Sequence, residues 1–287
     1  MVGIISSSDI NKSISDEVIN YKDFNDQVFD FNFSGKEFTN FFQSAPLSPH
    51  IVFKNFINSE FLDKIQENIN HEIKLETRKA MYNRGSTNRE DFIDDNLIKL
   101  YDFLNSKPAL LFLEDLTNIK GLIPDPYGIG AGIHITKNNG KLNLHRDFNY
   151  HPKLNIKRVL NLLLYLTPDW NDEYNGHFEL WPENMDEEKI VKVLPNFNTC
   201  MIFRTDQKTF HGFPDPIKIP DSVTRKAIAL YYYISPEQAI AERKTDTFFI
   251  SRIDHSDDYE PLNRIKFIVK DMIPPIIYRL YKKVFKR

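Results

Sequence analysis

The chain has 287 residues and a single cysteine, Cys200. One thiol excludes an internal disulfide and any multi-cysteine metal centre. No apolar run approaches the roughly 18–20 residues of a membrane span. The opening stretch, MVGIISSSDINKSISDE, lacks the basic segment and apolar run of a secretion signal. Positive charge is not in excess: 37 Lys+Arg stand against 40 Asp+Glu, a formal net charge of -3. That argues against a dedicated nucleic-acid binder, which needs a basic face. These absences predict a soluble, cytoplasmic, reduced protein.

The hydrophobic share is 41%, enough for a real core, and the 13 Tyr and 23 Phe suit a β-rich interior. Charge is uneven along the chain. The first 40 residues carry a net of -4, and residues 264–287 carry +7. The sequence therefore divides into a polar N-terminal arm (1–45), a folded domain (46–240) and a C-terminal extension (241–287) with basic amphipathic helices. Ordered structure is expected to begin at Pro49. The tail helices read as packing elements, with peripheral contact to an anionic membrane as the second reading.

His50–Phe53 reads as a short strand. Helices are expected after Ser59, over 94–105, and from Pro108 to about Asn118, each with apolar residues at helical spacing. From Tyr127 the pattern changes to about eight strands separated by turns: Gly128–Thr136, Lys141–Asp147, Arg158–Thr167, Gly176–Trp181, Lys189–Leu194, Thr199–Arg204, Lys208–Gly212 and Val223–Ile234. Strands packed this densely predict a sandwich or jelly roll, backed by the preceding helices.

Among the eight histidines, two positions stand out by spacing. His145 and Asp147 are two apart on a predicted strand, so both side chains share a face. An imidazole and a carboxylate there can form two legs of a metal site. His211, at the end of a later strand, is the candidate third. Two His and one carboxylate leave open positions, the arrangement of non-heme Fe(II) oxygenases. A bare H-x-D triplet is otherwise a surface hydrogen-bonded pair as often as a site. Arg225 opens the apolar strand that follows, and a guanidinium at the edge of a dry pocket calls for a carboxylate. A small dicarboxylate could chelate iron at one end and fork onto Arg225 at the other.

The stretches IPDPYGIGAGIHITKNNGKLNLHRDFNYHP, RVLNLLLYLTPDW, NGHFELW, LPNFNTCMIF, FHGFPDP and TRKAIALYYY resemble, in order and spacing, an Fe(II)- and 2-oxoglutarate-dependent dioxygenase of the prolyl-hydroxylase-like group. The resemblance runs from about Pro49 to Pro236. It implies a double-stranded β-helix, a form of jelly roll, over the domain 46–240. It implies iron at His145, Asp147 and His211, and the distal carboxylate of 2-oxoglutarate at Arg225, with Tyr165 beside it. Fe(II), 2-oxoglutarate and O2 are the cofactor and cosubstrates so implied, with ascorbate as a further candidate.

Asn175 stands where many relatives have the first glycine of a Gly-Gly turn, and Asn tolerates a positive φ. Ala227 stands where many have Ser. The implied substrate is a prolyl residue in a protein or peptide, with a free amino acid, glycan or other small molecule as the alternative. Asn149, Tyr150, His151 and Trp181 are expected on the substrate side. From other classes, a zinc hydrolase would need a nearby Glu as general base, and a silent jelly-roll binding domain would need neither the triad nor Arg225.

Overall fold

In the computed structural model, the described residues are 4–5, 35–66, 82, 84–87, 92, 94–206, 208–238 and 243–252. The expected helices of the basic tail, His71 and His255 lie outside them. The N-terminal half runs β1 (Ile4–Ile5), α1 (Thr39–Gln43), β2 (His50–Lys54), α2 (Ser59–Gln66), β3 (Arg84–Thr87), α3 (Asp95–Leu104) and α4 (Lys107–Thr117). Strands then follow: β4 (Ile123–Pro124), β5 (Gly132–Thr136), β6 (Leu142–Arg146), β7 (Lys157–Tyr165), β8 (Phe178–Pro182), β9 (Val191–Val193), β10 (Thr199–Arg204), β11 (Thr209–Phe213), β12 (Arg225–Ile234) and β13 (Phe248–Phe249).

Two sheets result. The larger has the order β1-β2-β10-β7-β12-β5-β3, with β4 also on β12, and the smaller β13-β6-β11-β8-β9. Consecutive strands thus alternate between sheets from β5 to β8, as a jelly roll requires. Period-two alternation sorts the large sheet's side chains. Ile133, Ile135, Leu160, Leu162, Leu164, Ile202, Ile228, Leu230 and Tyr232 face the helical layer and join one core with Phe42, Leu100, Phe112 and Leu116. The opposite face turns inward. Val52, Tyr165, Met201, Phe203 and Ala227 meet Phe178, Leu180, Val191 and Val193 of the small sheet.

The helices start where local chemistry allows. Asp94 caps α3, its side chain accepting from the Leu97 amide at 2.7 Å. Pro108 sits in the first turn of α4, and Asn118 ends that helix with a positive φ of 55. Ordered structure begins earlier than Pro49. A 3-10 turn over Gly35–Phe38 leads into α1, and Phe38 and Phe42, four apart, are buried against the core. Phe38 stands edge-on to Phe53, with ring centroids 5.2 Å apart. A polar composition concealed two aromatic anchors at helical spacing.

Among the described residues, no helix is long and apolar enough to cross a membrane.

Candidate active site

His145 on β6 and His211 on β11 are direct cross-strand partners. Opposed residues of an antiparallel pair share a face, so both imidazoles point between the sheets, with ring centroids 4.3 Å apart. The close approach depends on Gly212. A Cβ there would stand 2.7 Å from the Leu142 carbonyl oxygen and 2.9 Å from that of Asn143. His145 turns Nδ1 to the Asn143 carbonyl at 3.0 Å, so Nδ1 carries the proton and Nε2 keeps its lone pair. Burial, then the neighbouring His211, lower the His145 pKa to about 3. The ring is neutral at ordinary pH, as a metal ligand must be.

Asp147 lies one residue past the end of β6, and its Oδ1 is 3.7 Å from His145 Nε2. Its Oδ2 is 3.3 Å from His211 Nε2, 2.8 Å from Arg158 Nη2 and 2.9 Å from the donating Asn161 Nδ2. The Arg158 contact is an ion pair without a hydrogen bond's alignment. Burial alone would raise the Asp147 pKa, but Arg158 and His211 outweigh it and hold the carboxyl well below its usual range. One ligand atom from each of His145, Asp147 and His211 lies within 4.8 Å of the others. Bonds of about 2.0–2.2 Å to a common ion would bring neighbouring donors to about 3 Å. Two imidazoles and one carboxylate, with no thiolate, suit Fe(II).

Arg158 reaches Asp147 because of a β-bulge. The register of β12 against β7 shifts between Tyr232 and Tyr233, so Tyr232 opposes Leu160 while Tyr233 opposes Arg158. That shift brings Arg158 to the same side as Asn161, whose Oδ1 accepts from Arg158 Nε at 2.8 Å. The guanidinium is buried and lies 3.4 Å from the Tyr231 ring centroid.

From the triad a cavity runs between the sheets to Arg225, lined also by Leu163, Tyr165, Phe178 and Phe203. Arg225 is buried and donates from Nε to the Gly176 carbonyl at 3.0 Å. The turn that presents this carbonyl needs two positive φ values, 58 at Asn175 and 75 at Gly176, so Asn175 does take the expected conformation. A Cβ at Gly176 would meet Ile217 Cγ2 at 2.7 Å. The Tyr165 hydroxyl is buried with no hydrogen-bond partner among the described residues. Burial pushes its pKa up to about 12; Arg225 opposes this by charge without being aligned to donate. A buried cation and an orphaned hydroxyl at one end of a cavity make a receptor for a carboxylate, and the residues fit 2-oxoglutarate.

The expected substrate-side residues separate. Asn149 is buried, donating to the Arg243 carbonyl at 2.9 Å and accepting from the Thr245 amide at 2.7 Å. It ties down the segment that leads to β13, where Phe249 pairs with His145 and lies against it, the rings tilted with centroids 5.2 Å apart. Tyr150 bridges to Lys157 and lies under Lys244. His151 is enclosed. Its Nε2 faces Asp125 at 3.2 Å and its Nδ1 accepts two amides, from Lys153 and Leu154. Trp181 lies on the outer face of the small sheet with Leu144 and Phe210, and donates to Glu179 at 2.7 Å. Arg84, His134, Arg158, Asn161 and Tyr231, which line the cavity, were not among the sequence candidates. A lone Arg and Asn in the apolar run of β7 were the available signal.

Residues 131–233 match the model of the 2OG-Fe(II) oxygenase superfamily. The fold and the His–Asp–His cluster agree with that match. That match supports a 2-oxoglutarate-dependent dioxygenase, with Fe(II), 2-oxoglutarate and O2 as the cofactor and cosubstrates of such a domain. No curated protein sequence matches the chain. Among solved structures, a Trichoplax adhaerens prolyl hydroxylase in complex with a hypoxia inducible factor oxygen degradation domain peptide is 16% identical, with a TM-score of 0.50 over 73% of this chain and 94% of that one. A Pseudomonas putida prolyl-4-hydroxylase is 10% identical, with a TM-score of 0.48 over 70% and 98%. HygX from Streptomyces hygroscopicus, with nickel, 2-oxoglutarate and hygromycin B bound, is 12% identical, with a TM-score of 0.48 over 70% and 87%.

Proposed function

We propose that His145, Asp147 and His211 hold Fe(II), that Arg225 and Tyr165 hold the distal carboxylate of 2-oxoglutarate, and that the enzyme hydroxylates a prolyl residue in a protein or peptide. The observation that carries the site assignment is the shared cavity. The three candidate ligands, the buried guanidinium and the unpartnered Tyr165 hydroxyl all open onto it. The prolyl reading is supported by the sequence resemblance and by the fold shared with the Trichoplax prolyl hydroxylase.

When bound, Fe(II) with 2-oxoglutarate and O2 supplies the oxidation, releasing CO2 and succinate and inserting oxygen into an unactivated C–H bond. The chain's own residues prepare the site for it. His145 offers a neutral Nε2 because Asn143 fixes its other nitrogen. Asn161 and Arg158 both engage Oδ2 of Asp147, which fixes the ligand carboxylate and keeps it ionised. Arg225 supplies the charge, and Tyr165 a hydroxyl, for the cosubstrate's far end. Leu163, Phe178 and Phe203 keep the cavity between them apolar, which strengthens those interactions.

A zinc hydrolase would need a carboxylate base beside the metal. Glu179, the buried glutamate nearest in the chain to this sheet's ligands, is engaged by Trp181 and Lys192. It does not line the cavity. The test is succinate production from 2-oxoglutarate by the purified protein, with and without Fe(II), followed by a screen of proline-containing peptides, free amino acids and glycans.

A further inference from the structure

We propose that Asp125, with His151 and Tyr233, forms a positioning hub that fixes the register of Arg158 and, through it, the Asp147 carboxylate. The inference rests on the metal assignment proposed above and deepens it by naming residues that act on the site through Arg158. Asp125 precedes the 131–233 segment that the superfamily model covers.

The Asp125 side chain is buried, and its two oxygens receive four donors. Oδ1 accepts from the Tyr127 amide at 2.8 Å and from His151 Nε2 at 3.2 Å. Oδ2 accepts from the Ile129 amide at 3.1 Å and from the Tyr233 hydroxyl at 3.2 Å. The tautomer of His151 is set by its other nitrogen. Nδ1 accepts the amides of Lys153 at 3.1 Å and Leu154 at 2.9 Å, so the proton sits on Nε2 and faces Asp125. Burial pushes the Tyr233 pKa up, so that hydroxyl keeps its proton as a donor. One buried carboxylate thus joins three segments: the turn after β4, the loop between β6 and β7, and β12.

Each segment bears on Arg158. Tyr233 is the cross-strand partner of Arg158, immediately past the shift in register, so anchoring its hydroxyl pins the bulge at that point. His151 sits in the loop that leaves Asp147 and returns to Arg158. Its amide donates to the Ile156 carbonyl at 3.0 Å, and the Arg158 amide donates to the Asn149 carbonyl at 2.9 Å. The turn that Asp125 shapes through the Tyr127 and Ile129 amides ends at Gly130, whose carbonyl accepts from the Tyr231 hydroxyl at 2.8 Å. The Tyr231 ring is the one that lies 3.4 Å from the Arg158 guanidinium. Three routes from one carboxylate therefore converge on the group that stands 2.8 Å from Oδ2 of Asp147. Neighbouring pairs alone do not fix a bulged register, and a long-range polar tie supplies what they lack.

The test is a double-mutant cycle on the full chain, read as Ni(II) affinity in a calorimeter. His151→Asn keeps an acceptor for the Lys153 and Leu154 amides but is too short to reach Asp125. It should bind Ni(II) about tenfold more weakly than wild type, the lower end of the range for outer-shell partners. In an Arg158→Gln background the same substitution should change the affinity by no more than about twofold, because the group it acts through is gone; independent sites would add. Tyr233→Phe, which removes only the hydroxyl, should show the same pattern, and it carries the test if His151→Asn does not fold. His151→Gln, whose amide can donate to Asp125, should bind Ni(II) more tightly than His151→Asn. Three results would overturn the assignment. The first is wild-type affinity in folded His151→Asn and Tyr233→Phe. The second is an equal loss in both backgrounds, which would reduce the hub to general stability. The third is a His151→Gln variant no tighter than His151→Asn, which would confine the imidazole's role to its own turn. Failure of the underlying reading shows separately, as Ni(II) binding that His145→Ala leaves unchanged.

Discussion

Arg158 Nη2 stands 2.8 Å from Oδ2 of Asp147, and Asn161 donates to the same oxygen at 2.9 Å. The carboxylate proposed to face the metal is thus held from behind by a buried cation, which also suppresses its protonation. Outer-shell partners of this kind are typically worth about 10–100-fold in metal affinity. Arg158→Gln should weaken metal binding by about that factor. The loss should be greater at pH 6 than at pH 8, because the Asp147 pKa rises when its cation is removed. Calorimetric titration with Ni(II) at both values checks this, and equal affinities for variant and wild type would contradict it.

Gly212 lets β11 approach β6 closely enough for the two imidazoles to meet. Gly212→Ala forces a methyl group against two backbone carbonyls, which cannot rotate away. Overpacking of this kind costs about 1–3 kcal/mol. The variant should melt at a lower temperature and should bind metal more weakly than its loss of stability alone explains, since His211 moves with its strand. Normal metal affinity in a folded Gly212→Ala protein would show that the strand spacing is not set there.

Arg225→Ala should raise the 2-oxoglutarate requirement steeply. Removing one partner of a buried ion pair costs about 3–5 kcal/mol, or about a hundred- to several-thousand-fold. Arg225→Lys should recover only part, because an ammonium lacks the planar fork. Steady-state kinetics against 2-oxoglutarate reads the effect directly. An unchanged Michaelis constant in Arg225→Ala would assign the carboxylate to another group.

The metal-free protein should lose stability as the solution becomes acidic. Burial lowers the pKa of His50, His134 and His145, the last to about 3, whereas in the unfolded chain each titrates near 6.5. Below 6.5 the unfolded state therefore binds more protons than the native state. Stability is full above that value and falls as pH drops through the window toward 3, by up to about 1.4 kcal/mol per pH unit for each such histidine. Urea unfolding at pH 7.5, 6 and 5 measures the slope. A flat profile would mean that these rings are protonated in the native state.

Much of this site was legible as spacing. Period two placed His145 and Asp147 together, and the apolar strands β7 and β12 announced the sheet that carries Tyr165 and Arg225. What stayed hidden depends on register. The inward turn of Arg158 comes from a bulge opposite Tyr232 and Tyr233 that no residue type announces. Trp181 and Leu180 alternate on β8, and only the pairing of Leu180 with His211 decides that the tryptophan faces outward. Arg84 sits in the four-residue strand RGST, too short and too polar to show alternation. His151 follows His145 and Asp147 closely in the chain, yet a bond to Asp125, 26 residues earlier, draws it into the interior.

The most direct test of the account is succinate formation from 2-oxoglutarate by the full-length protein, measured with Fe(II), with Zn(II) and without metal, for wild type and for Asp147→Asn. The account predicts succinate from the wild type with Fe(II) alone, and none from Asp147→Asn, with circular dichroism showing that the variant is folded. Succinate formed without iron, none from the iron-loaded wild type, or equal yields from folded Asp147→Asn would contradict it.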